Sequence, residues 1–295
     1  MIDEQPHHRQ LLRRIREVYP DLQIAAVRPI TAGQYNDVVV ADERWIFRFP
    51  RFSEGVQNLE IETAILRAIR GAITLAIPNP VCTAFEPRVP GKAFAGYRMI
   101  PGEPLWRETL ARIDDEATLD RLSGQLGGFL NELHRIPAGD LLGLGLPLPD
   151  LSSVWTDLLA RIKAKLLPLM APESRRQVTA HFETFLRGAA NLAPAPVLIH
   201  GDFGGSNILF DRKCGAVTGV IDFGSCHLGD PALDLAALAT YGEPFLRRVL
   251  SVYPMPQTAL ARIRFYLGTF ALQEALYGVE HDDREAFQRG ITAYR

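Results

Sequence analysis

The sequence predicts an α+β protein of two lobes. The N-terminal lobe, residues 1–100, holds an antiparallel sheet and one key helix, and the C-terminal lobe, residues 101–295, is mainly helical. Three observations predict this. Short β-branched and aromatic runs, bounded by turn residues, crowd the chain before residue 101. Beyond it, apolar residues recur at helical spacing. Inside that helical part, short apolar segments at 197–200, 207–210 and 217–221 flank a glycine-rich polar stretch.

The elements follow in order. Leu11, Leu12, Ile15 and Val18 make an amphipathic helix over 8–19, ended by Pro20. Strands at 24–30 and 36–41 flank Thr31-Ala32-Gly33-Gln34-Tyr35, and Trp45 to Phe49 forms a third strand stopped by Pro50. A helix runs from Gly55 to Arg70 and ends at Gly71. Two further strands are predicted at 81–86 and 94–100. Asp114-Asp115-Glu116 opens a helix that continues to Pro137. Residues 138–150, rich in Gly, Leu and Pro, read as a loop. Helices follow at 151–169 and 172–191, and again from 231 to the end.

Composition sets limits on function. The 295 residues are 47% hydrophobic and 22% charged, as in ordinary globular chains. Lys plus Arg is 32 and Asp plus Glu is 34, a net charge of −2, so no nucleic-acid partner is expected. Cys82, Cys214 and Cys226 are odd in number and lack CxxC spacing, which argues against a disulfide scaffold or zinc site and fits the cytoplasm. Met1 to Pro20 has no signal-peptide apolar stretch, and no run reaches membrane-span length, so no membrane partner is expected. A monomer is expected.

The chemistry concentrates in His200-Gly201-Asp202-Phe203-Gly204-Gly205-Ser206-Asn207. A strand, a glycine-rich loop and a second strand put Asp202 and Asn207 on one turn. The next strand ends in Asp222-Phe223-Gly224. Singly, each Asx residue reads as a turn former. Together, H-x-D-x-x-x-x-N followed by D-F-G matches the phosphoryl-transfer template. Asp202 would be the base that orients an acceptor hydroxyl. Asn207 and Asp222 would hold Mg²⁺, a hard cation that takes oxygen ligands, on nucleotide phosphates. On the 55–70 helix, Glu62 shares the apolar stripe of Leu59, Leu66 and Ile69, so it needs a partner. Arg48, on the strand just before, is the nearest candidate partner in sequence. Gly33 and Asn36 could cover phosphates, and Met99-Ile100 could meet a purine edge, where Pro101 lacks an N–H.

Other motifs fail. Gly91-Lys92 lacks the earlier Walker A glycine, Gly143-x-Gly145 lacks its third glycine, and HExxH and a nucleophile elbow are missing. His134 and His181 read as surface or core filler, and His200 as a brace for its loop. Asp230-Pro231-x-x-Asp234 reads as a helix cap.

The blocks His200–Leu209, Val220-Ile221-Asp222-Phe223-Gly224 and Gly229-Asp230-Pro231-Ala232-Leu233-Asp234-Leu235 resemble the aminoglycoside phosphotransferase family. Gly33–Asp37 and Ala275-Leu276-Tyr277-Gly278 are most similar to its 2″-phosphotransferases. The resemblance implies a protein-kinase-like fold and transfer of a phosphoryl group from ATP or GTP to an aminoglycoside hydroxyl, with Glu243, Glu274, Tyr277 and Glu280 at the substrate. Two departures stand out: Arg48 where the antibiotic kinases usually have Lys, and few carboxylates after Asp234. Rival readings are a kinase of a sugar, amino alcohol or macrolide, and a catalytically silent nucleotide-binding protein. A protein kinase is excluded by the short chain between Asp222 and Asp234, about a dozen residues where an activation loop would stand.

Overall fold

A computed structural model describes residues 6–30, 35–141, 143–188 and 194–295. The first helix, α1 (Pro6–Val18), lies against a five-stranded antiparallel sheet. Its strands are β1 (Val27–Ile30), β2 (Asn36–Ala41), β3 (Trp45–Pro50), β4 (Cys82–Ala84) and β5 (Phe94–Arg98), in the order β1-β2-β3-β5-β4. Strand alternation decides what faces where. Phe47 and Phe49 are fully buried in the front core with Phe94, Leu11, Leu12 and Ile15. Arg48, between them, must leave by the opposite face. Its register partners are Val38 on β2 and Ala95 on β5.

Helix α2 (Ser53–Ile69) follows β3 closely. Its last turns, with Ile65, Leu66 and Ile69, belong to the rear core. That core is built on β6 (Glu103–Pro104), α3 (Arg107–Leu110), α4 (Glu116–His134), α5 (Leu151–Lys165) and α6 (Pro172–Arg187). It continues through β7 (Val197–Ile199), β8 (Ile208–Asp211), β9 (Ala216–Val220), β10 (His227–Gly229), α7 (Ala232–Ala239), α8 (Glu243–Val252), α9 (Ala259–Glu280) and α10 (Arg284–Ile291). The helix starts are chemically marked. Asp115 accepts from the Thr118 N–H at 2.9 Å, and Asp150 from the Ser153 N–H at 3.0 Å.

The architecture is the α+β arrangement read from the sequence, with local differences. The 151–169 helix ends at Lys165, and a 3₁₀ turn carries Leu167–Leu169. The 172–191 helix ends at Arg187; residues 189–193 lie outside the described part. Strands β6 and β10 and helix α3 were not expected, because two to four residues are too few to show a period. They still matter. β6 pairs with β8, setting Glu103 opposite Phe210 and Pro104 opposite Leu209, and β10 pairs with β7. Among the described residues, no helix is long and apolar enough to cross a membrane.

Candidate active site

Two clusters of side chains meet at the junction of sheet and helices. In the first, Arg48 Nη1 donates to Glu62 Oε1 at 2.5 Å, and Arg48 Nη2 donates to Asp222 Oδ1 at 3.3 Å. Glu62 is only 3% exposed, so the apolar stripe of α2 does carry its carboxylate inward. The Phe223 N–H also donates to it. Burial pushes the Glu62 carboxyl up from its ordinary range, while Arg48 pulls it back. Burial also opposes the charge on Arg48, but Glu62, Tyr97 and Asp222 outweigh it and hold the guanidinium firmly protonated. Tyr97, buried beside the pair, has its phenol pushed up to about 12 by burial.

The second cluster is the loop from β7 to β8. The Asn207 amide donates to the Asp202 carbonyl at 2.8 Å and to Asp202 Oδ2 at 2.9 Å. The Asn207 carbonyl accepts from the Ile221 N–H at 2.9 Å, so the β8–β9 register sets Asn207 beside the residue preceding Asp222. With its NH₂ fixed on Asp202, the Asn207 side-chain carbonyl points the other way. Asp222 sits in the left-handed region, φ 64°, with its side chain half exposed. Asp202 is exposed to the cleft. Two oxygen donors, one carbonyl and one accessible carboxylate, suit a small hard cation that keeps its other positions for water and phosphate. Among the described residues there is no cluster of three or more His, Cys, Asp or Glu that could hold a metal.

His200 braces the loop, as its sequence position suggested. Its Nδ1 accepts from the Asp202 N–H at 3.3 Å, which leaves Nε2–H to donate to the Ile221 carbonyl at 3.1 Å. Gly201, at φ +79°, has no room for a side chain, since a Cβ would stand 2.4 Å from the Ser225 carbonyl oxygen. Below the loop, Phe203 stacks on Phe129 at 5.3 Å and Phe223 packs against His200 at 4.8 Å.

The sequence reading missed one anchor. Asp234 does not cap α7; Asp230 does, accepting from the Ala232 N–H at 3.0 Å while it also pairs with Arg262 and Tyr266. Asp234 is buried and turned to the loop, where it accepts from the His200 N–H at 2.8 Å and the Gly201 N–H at 2.9 Å. His134 Nε2 lies 3.1 Å from Asp234, and His134 Nδ1 lies 2.8 Å from the Tyr253 hydroxyl. Burial works against the Asp234 charge, but these donors prevail and hold its carboxyl below the ordinary range. His134 is therefore a member of this network and not filler. The capping signature and the network share the same residues, so spacing alone cannot separate them.

The other candidate residues fall as follows. Asn36 begins β2 opposite Pro50, and Gly33 lies outside the described residues. The Met99 N–H donates to the Arg44 carbonyl at 2.9 Å. The Ile100 N–H has no such partner among the described residues. Glu243 is an exposed carboxylate at the start of α8. Glu274 pairs with Arg289 at 2.7 Å. Glu280 pairs with Lys165 at 2.7 Å and with Arg161, and those hydrogen bonds bring its carboxyl down to about 2. Tyr277 stacks on His281 at 4.1 Å.

A cation–carboxylate pair facing an Asp–Asn loop and a second aspartate is the working arrangement of a kinase-type phosphotransferase. Comparison with known proteins agrees. The model of the phosphotransferase enzyme family (APH) matches residues 26–266, and the chain belongs to that family. It is 30% identical to the viomycin phosphotransferase of Streptomyces vinaceus over 98% of both chains. Among solved structures, it resembles an aminoglycoside 2'-phosphotransferase in its GDP complex, with a TM-score of 0.87, 26% identity and coverage of 98% of this chain and 97% of the other. It also resembles APH(2")-IIia in complex with GDP and kanamycin, with a TM-score of 0.86, 27% identity and 96% coverage of each chain. The protein is thus a phosphotransferase with the protein-kinase-like fold.

Proposed function

We propose that the protein transfers the γ-phosphoryl group of ATP or GTP to a hydroxyl of an aminoglycoside antibiotic. The observation that carries this is the convergence of Arg48, bound at once to buried Glu62 and to Asp222, with an Asn207 amide that orients Asp202. In this reading, residues 1–100 hold the nucleotide and residues 101–295 the acceptor. Arg48, held by Glu62, meets the phosphates as a guanidinium that also pairs well with oxyanions. Gly33 and Asn36 cover the phosphates, and Met99 and Ile100 meet the base. Asn207 and Asp222 would hold Mg²⁺, which when bound neutralises charge on the triphosphate. Asp202 accepts the hydroxyl proton as the acceptor oxygen bonds to the γ-phosphorus, and the nucleoside diphosphate leaves. Positioning and charge neutralisation supply most of the acceleration in such a loose transition state. Glu243, Glu274, Tyr277 and Glu280 line the acceptor side.

A second reading takes viomycin as acceptor. The full-length match to a viomycin phosphotransferase favours it. One experiment separates the two: nucleotide turnover with ATP and GTP against kanamycin, gentamicin, viomycin, a macrolide, and simple sugars and amino alcohols. Turnover with an aminoglycoside supports the main reading, and turnover with viomycin alone transfers it to the second. Turnover with none overturns both. Asp202→Asn should bind nucleotide normally and lose turnover by about a thousandfold, the middle of the range for one general base. Unchanged turnover would remove Asp202 from that role.

A further inference from the structure

Among the described residues, Trp106 is a large aromatic left exposed close in the fold to the loop of Asp202 and Asn207. It is 50% exposed. Of the other two tryptophans, Trp155 is buried and Trp45 lies under the Arg98 guanidinium at 4.0 Å. Among the described residues, the Trp106 ring has neither a ring partner nor a cation partner.

Its backbone is fixed to the site. The Leu105 N–H donates to the Ile208 carbonyl at 2.8 Å, and the Trp106 N–H turns back to the Pro104 carbonyl at 3.0 Å, so Trp106 stands where the chain leaves β8 and enters α3. The Leu105 side chain is fully buried, whereas that of Trp106 faces solvent. The Tyr241 hydroxyl donates to the Leu105 carbonyl at 2.5 Å. Gly205 packs so tightly there that a Cβ would stand 2.4 Å from that carbonyl and 3.0 Å from the Tyr241 hydroxyl. The strand end that carries Trp106 therefore braces the loop holding Asp202 and Asn207. Carboxylates stand near it in the chain, beside the exposed Arg107. Glu108, two residues on, and Glu243, two residues past Tyr241, are exposed carboxylates without a cation partner among the described residues. Glu274 and Glu280 each have one.

We propose that Trp106 is a specificity-determining residue: its indole is the platform on which the acceptor's hydroxyl-bearing ring stacks beside Asp202. This rests on the phosphotransferase reading and deepens it. A ring laid over the exposed part of the indole removes apolar surface from water, and a cationic ring adds cation–π attraction. A cationic ring system satisfies both.

The test uses Trp106→Ala and Trp106→Phe with the acceptor that the wild-type protein turns over in the panel. The expected result for Trp106→Ala is an acceptor KM raised about tenfold, with nucleotide KM and kcat within about threefold of wild type. Trp106→Phe, which keeps a flat ring, should restore most of the acceptor KM. Acrylamide quenching of tryptophan fluorescence gives an independent readout. Acceptor should protect the wild-type protein and leave Trp106→Phe unaffected. An unchanged acceptor KM in Trp106→Ala, or a rise in nucleotide KM instead, overturns the proposal and leaves the function standing. A wild-type protein inert with every acceptor overturns the function, and this proposal with it.

Discussion

The buried pair between Arg48 and Glu62 separates structural from catalytic roles in one series of variants. Replacing Glu62 by Leu removes the carboxylate that meets Arg48 at 2.5 Å in a site where Glu62 is 3% exposed and the arginine side chain 12%. The cation is left with Asp222, at 3.3 Å and with a side chain 52% exposed. Breaking a buried pair from one side costs about 3–5 kcal/mol, whereas a solvent-screened pair returns at most about 1 kcal/mol. The Asp222 contact thus offsets little, and the expected loss is about 3 kcal/mol. For a chain of this size, that lowers Tm by roughly 5–10 °C. The double variant Arg48→Met/Glu62→Leu removes the stranded charge and fills its place with apolar groups, so most of the lost stability should return. Catalysis should not return, because neither variant retains a held guanidinium for the phosphates. The assays are thermal unfolding by circular dichroism and nucleotide turnover on the same preparations. A Glu62→Leu protein with wild-type Tm, or a double variant less stable than the single one, would refute the assignment of the pair as a buried ion pair. Turnover surviving in the double variant would refute its part in catalysis.

Other predictions follow from single contacts. Glu280 has its folded-state carboxyl lowered to about 2 by Arg161 and Lys165. A lowered carboxylate stabilises the fold above its unfolded pKa, about 4.3, and that contribution is lost as pH falls toward 2. In Tm measured against pH, Glu280→Gln should lie below wild type at pH about 6 and converge with it near the folded pKa. Parallel curves would refute this. Gly205→Ala puts a methyl against the Leu105 carbonyl and the Tyr241 hydroxyl. The loop must then shift, and turnover should fall far more than Tm; equal activity would show that the loop has slack. Asp222→Asn keeps a residue that tolerates the left-handed backbone. Its fold should hold while the Mg²⁺ concentration for half-maximal turnover rises about tenfold or more, a shift read from a simple titration.

Much of this was legible in the sequence, for reasons that can be named. Periodicities of two and 3.6 residues are set by local backbone geometry, so the front sheet, α2 and the long helices could be read directly. A carboxylate on an apolar stripe cannot stay unpaired, which made Glu62 and its partner Arg48 predictable before any coordinate. The loop of Asp202 and Asn207 could be read as a unit because its spacing is itself a short piece of structure. Tertiary structure decided whatever depends on contacts between distant segments. Asp234 looked like a cap and became the anchor of the His200–Gly201 backbone, because α4 brings His134 to it across 100 residues of chain. Glu274 and Glu280, expected at the substrate, are held by Arg289, Arg161 and Lys165, from helices that sequence spacing cannot pair. Trp106 gave no signal at all. It stands two residues past β6, a strand too short to have a period, whose place comes only from pairing with β8. Local pattern determines which face of an element is apolar; only packing determines what that face, or the polar residue on it, finally meets.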